Sequence, residues 1–187
     1  MIDFTNAIEE FNNYQGSEKK KTLIYNNIKY LVKFPDPIME KNKNISYINN
    51  AFSEYIGSNI FKMAEFEAQN TLLGKYYYKG KEKIVCACED FTDNEHILYE
   101  FENLAINCYS CIKLNEKKIN YMSFMQKMEN KECNDAIKRR FKKVNINEIN
   151  YFIDGIECIS NVRKKFYKDI ISYRYNNLKN IYEKLKS

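Results

Sequence analysis

Thr22-Leu23-Ile24-Tyr25-Asn26-Asn27-Ile28-Lys29-Tyr30-Leu31-Val32-Lys33-Phe34-Pro35 is the stretch on which the fold turns. Apolar and polar residues alternate on either side of Asn26-Asn27, and asparagine tolerates the left-handed backbone of a two-residue hairpin loop. The pattern predicts strands over 22–25 and 28–34, ended by Pro35 and Pro37. Lys33 then sits among apolar neighbours near the end of the second strand. It reads either as a charge guarding a sheet edge or as a cation held for an anionic ligand.

Downstream, Ile48, Phe52, Ile56, Ile60 and Met63 recur at helical spacing and predict a helix over 44–64. Glu54 lies opposite that stripe. Tyr47 and Phe61 flank Glu54 at seven residues on either side, on its own face, so the helix is expected to carry two apolar faces. A carboxylate between them needs a partner, and Lys33 is the candidate; a plain surface glutamate is the alternative. A second strand pair follows over 71–78 and 82–88, turning at Lys79-Gly80-Lys81. The unbroken apolar run Ile84-Val85-Cys86-Ala87-Cys88 predicts a central strand covered on both faces, leaving through Glu89-Asp90-Phe91.

Upstream, a strand is expected near residues 2–4. Gln15-Gly16-Ser17-Glu18-Lys19-Lys20-Lys21 then reads as a hairpin turn beside a lysine run, or as a turn whose amides and lysines approach phosphate. Beyond Phe91 the pattern is helical, over 95–105, 120–129, 131–142 and 147–154 with Gly155 as a stop. A long last helix is capped by Ser160, with Val162, Phe166, Ile170, Tyr173, Asn177, Ile181 and Leu185 on its inner stripe. The fold class is therefore α+β: an antiparallel β-rich front with one helix, over residues 1–103, and a helical part over 104–187.

Charge follows the same division. Residues 1–103 hold 12 Lys plus Arg against 16 Asp plus Glu, whereas 104–187 hold 18 against 9. The basic half contains Lys138, Arg139, Arg140, Lys142 and Lys143, a candidate nucleic-acid patch. Helical periodicity spreads these around the axis, which favours a solvated face. Sixteen Tyr, 12 Phe and no Trp match the heavy use of Lys, Asn and Ile, a codon-bias pattern that weakens arguments from density. No apolar run approaches the roughly 20 residues of a membrane helix, and residues 1–4 lack a signal-peptide pattern, so a cytoplasmic protein with reduced cysteines is expected. Cys86 and Cys88 stand too close for paired zinc ligands, and with only His96 nearby they and Cys108 and Cys111 are read as core cysteines, with no metal site.

Taken together, these motifs carry a resemblance. The segments 30–35, 44–47, 52–55, 69–74 and 83–91 resemble the small lobe of HipA-like Ser/Thr kinases, in the CtkA-like branch. The likeness covers about residues 12–95. It implies a kinase-like small lobe in which Gly16 and Ser17 lie in the phosphate loop, Lys33 binds ATP phosphates, Glu54 pairs with Lys33, and Glu89 through Phe91 form the adenine hinge. Residues 117–121, 149–155 and the last helix with Arg174-Tyr175 resemble the end of the large lobe. Between Phe91 and Lys117 the family's catalytic Asp and Asn and its later metal-binding Asp have no counterpart; neither Asp135 nor Asp154 takes their place. The resemblance thus implies no catalytic residue and no metal ligand here, weak ATP binding, and a protein partner or a second polypeptide completing a split kinase.

Overall fold

The structure, a computed structural model, describes residues 1–11, 20–35, 50–92, 95 and 131–186. It divides into two compact units, residues 1–62 with 66–91, and residues 63–65 with 92–187.

The first unit is one six-stranded sheet and a helix. Its strands are β1 (Ile2–Asp3), β2 (Ile8–Glu10), β3 (Lys20–Tyr25), β4 (Ile28–Lys33), β5 (Thr71–Tyr78) and β6 (Lys81–Glu89). They lie in the order β1-β5-β6-β4-β3-β2. Every pair is antiparallel except β1 with β5, which makes the sheet mixed. Asn26 and Asn27, at φ 50° and 62°, close the β3–β4 hairpin as their residue type predicts. Lys79 and Gly80, at φ 48° and 76°, do the same for β5–β6. That turn is therefore two residues, and Lys81 already belongs to the strand.

The β6 strand is central and buried on both faces, as its unbroken apolar run requires. Val85 and Ala87 join Phe4, Leu23, Tyr30, Val32 and Phe34 in one core. Cys86 and Cys88 face the other way, against Ala51 and Tyr55 of helix α1 (Asn50–Met63) and Leu31 of β4. Beneath Phe4, Gly74 leaves room for the ring: a Cβ there would lie 2.6 Å from it, so the ring would have to shift. The β2 strand has no sequence signature because it is an edge strand whose residues are all exposed, so no hydrophobic alternation marks it.

One expectation for α1 is corrected. Its Glu54-bearing face is not a second buried layer, because Phe61 is 55% exposed and meets Phe66 at a ring separation of 5.3 Å. Tyr47 lies outside the described residues, as do the expected helix residues 44–49, all but Glu95 of the helix expected over 95–105, and the helix expected over 120–129.

In the second unit, α2 (Lys131–Phe141), α3 (Ile146–Asp154) and α4 (Asn161–Lys186) pack together. Asn145 caps α3, accepting from the amides of Asn147 and Glu148. Ser160 caps α4 by accepting from the Arg163 amide at 3.4 Å. Phe141 stacks on Tyr175 at 5.2 Å and meets Tyr182 at 4.9 Å. The inner stripe of α4 matches the one read in sequence only in part. Ile181 of that stripe is buried, but Val162, Phe166 and Tyr173 are exposed, and Tyr167 and Tyr182 are buried instead. Aromatic residues occur all round α4, so periodicity alone leaves its phase open and packing selects it.

Candidate functional site

The register places the candidate residues. Because side chains alternate along a strand, Lys33, paired with Cys86, shares the α1-facing side with Leu31 and Cys88. Lys20 pairs with Lys33 across β3–β4 and lies on that same side. Lys21 is turned away to the opposite face, where its ammonium engages Glu9 and Tyr76. Only part of the lysine run therefore shares the face of Lys33. Two lysines directly opposite repel one another, so this face favours a negative charge.

Glu54 supplies one. It stands one helical turn beyond Ala51, the residue that seats α1 on Cys86 and Cys88. From there Glu54 Oε1 accepts a hydrogen bond from Lys33 Nζ at 2.8 Å. The Lys33 side chain is 25% exposed and that of Glu54 is 43% exposed. Burial by itself pulls the Lys33 pKa down; the hydrogen bond and charge of Glu54 outweigh it, leaving the pKa above the ordinary value of 10.5. A glutamate opposite the Phe52–Ile56 stripe reaches the lysine because the buried face of α1 also includes Ala51 and Tyr55.

On the same sheet face as Lys33, the neighbouring thiols act on one another: Cys88 and burial push the Cys86 thiol up, while Cys86 and the Lys33 charge draw the Cys88 thiol down. Both are free and buried.

The exit of β6 is held by groups that single-residue reasoning passed over. Glu89 donates its amide to the Asn70 carbonyl at 2.8 Å, and its carbonyl accepts from Gln69 Nε2 at 2.8 Å. Its carboxylate accepts from Asn70 Nδ2 at 3.1 Å. On the other side the Asp90 amide donates to the Lys29 carbonyl at 2.8 Å. Helix α1 reaches the same place, with Ser58 Oγ donating to the Gln69 carbonyl and Lys62 Nζ to Asn70 Oδ1. Gln69 and Asn70 open the 69–74 segment, yet nothing in their residue types announces a clamp. Phe91 follows, 53% exposed. Gly16 and Ser17 lie outside the described residues, as do Cys108, Cys111 and His96. Among the described residues no group of three or more His, Cys, Asp or Glu side chains is placed to hold a metal.

A strand lysine on β4 thus pairs with a helix glutamate, and the exit of the neighbouring strand β6 is clamped by Gln69 and Asn70, which lead into β5. No protein-family model matches the chain. The serine/threonine-protein kinase CtkA of Helicobacter pylori is 42% identical over 107 residues, 55% of this chain and 31% of that protein. The chain resembles that kinase in sequence and spans about a third of its length. The crystal structure of a Helicobacter pylori proinflammatory kinase CtkA superposes with a TM-score of 0.73 at 22% identity, covering 98% of this chain and 97% of that one. The chain thus has a kinase-like α+β fold, a β-rich unit followed by helices. No helix among its described residues is long and apolar enough to cross a membrane.

Proposed function

We propose that this chain is a shortened CtkA-like kinase remnant that binds a nucleotide weakly, or a protein partner, without catalysing phosphoryl transfer alone. The observation that carries the reading is the Lys33–Glu54 pair, assembled at 2.8 Å on the sheet face that ends at the clamped β6 exit. A lysine held in this way presents a positive charge to phosphate oxygens while its own position is fixed by the carboxylate. Lys20, across the strand pair, adds to the field. Gly16 and Ser17 are assigned to the phosphate turn. Glu89 positions the exit, since its amide and carbonyl are already engaged, and Phe91 offers its exposed ring and backbone to a base.

One further fact supports internal shortening. In the sequence, the interval between Phe91 and Lys117 has no room for the catalytic Asp and Asn. Phosphoryl transfer rests on positioning and on Mg²⁺ neutralising charge, so a chain without those ligands keeps binding and loses most of the rate. Incubating the pure protein with Mg·ATP and a protein substrate is expected to transfer no phosphate. Transfer abolished by Lys33→Ala would overturn the reading.

A second reading is that the chain is half of a split or oligomeric Ser/Thr kinase, its metal ligands supplied in trans. It is favoured by the same ion pair, which a purely structural remnant has no reason to keep. Affinity capture is then expected to recover a polypeptide bearing the missing loop, and the mixture to phosphorylate; capture of no such chain ends it.

A further inference from the structure

Behind the ion pair, the first unit holds a cavity of about 470 Å³ lined by Ser53, Glu54, Gly57, Phe61, Gln69 and Thr71, among others. That volume falls within the range of small-molecule sites. We propose that it is a second ligand site, for planar aromatic molecules bearing N–H donors, of the arylamidine or aminoheteroaryl kind.

Three features of the lining select that chemistry. The first is an aromatic wall: Phe61 is 55% exposed at the cavity and can cover one face of a ring. The second is an open floor. A Cβ at Gly57 would meet nothing within 4 Å, so the glycine leaves room at mid-helix where no backbone geometry demands one. The third is a surplus of acceptors. The Thr71 hydroxyl oxygen is buried with no hydrogen-bond partner. Glu54 gives only Oε1 to Lys33 and keeps a second carboxylate oxygen. Gln69 spends its amide nitrogen on the Glu89 carbonyl and keeps its amide oxygen. A buried unpaired hydroxyl is costly, and a donor from a ligand would satisfy it. An anionic molecule of the same shape would meet the carboxylate instead. The site stands whether or not a nucleotide binds at Lys33.

Benzamidine is the probe, followed by amide chemical shifts of the full chain. It is expected to shift Gly57, Phe61, Gln69 and Thr71 together and saturably, with benzoate binding weaker by about tenfold or more. Gly57→Leu, which fills the floor and suits a helix better than glycine, is expected to keep the fold and weaken benzamidine about tenfold. Thr71→Val, of matched shape, is expected to weaken it roughly threefold. Unmoved amides at about 10 mM benzamidine, equal binding of benzoate, or unchanged affinity in folded Gly57→Leu would each overturn the proposal.

Discussion

Lys33 and Glu54 carry different amounts of the account. Both side chains reach solvent, so their bond contributes little to stability, on the order of 0–1 kcal/mol. Its importance lies in where it leaves the lysine. Glu54→Gln is expected to lower the urea midpoint by no more than that energy implies while weakening ATP binding several-fold, measured by calorimetry. The pH dependence follows from the raised Lys33 pKa. The lysine's contribution is fully present below its unfolded value, near 10.5, and is lost as pH rises through the higher folded value. The stability difference between the wild type and Lys33→Met should therefore stay constant from neutral pH to about 10 and narrow above it. A difference that fades near neutrality would place the effect on another group. This pair was legible in sequence because a strand lysine and a helix carboxylate each needed an explanation. The clamp around Glu89 was not, since Gln69 and Asn70 are ordinary polar residues until β5 and β6 pair.

At the scale of elements, local chemistry and tertiary packing divide the credit. Asn26-Asn27, the apolar β6 run and the Asn145 and Ser160 caps announce themselves because each satisfies a local backbone demand. The edge strand β2 and the phase of α4 do not, because the first buries nothing and the second has aromatic residues on every side. Gly74 is a test of the sheet core. Since its hydrogen faces the Phe4 ring at a distance no methyl can share, Gly74→Ala is expected to cost about 1–3 kcal/mol in urea unfolding. A neutral outcome would mean that Phe4 packs elsewhere. For α4, Tyr167→Ala should cost several kcal/mol, about 3–5 as for other large aromatic truncations, whereas Phe166→Lys should stay within about 0.5. Reversal of that order would restore the stripe expected from periodicity.

For the whole molecule, the chain has two compact units and a kinase-like α+β fold, and its sequence matches a relative over about a third of that relative's length. The central claim is that the Lys33–Glu54 face still binds nucleotide although transfer is lost. Ligand binding raises the melting temperature in proportion to occupancy of the native state, so weak affinity registers at millimolar concentration. The most direct measurement is therefore a thermal melt of the full chain with ATP, with and without Mg²⁺, beside Lys33→Ala. ATP is expected to raise the melting temperature of the wild type, Mg²⁺ to add little, and the variant, folded and melting near the unliganded wild type, to show no rise. An equal rise in Lys33→Ala, or none in the wild type at millimolar ATP, would contradict the central claim.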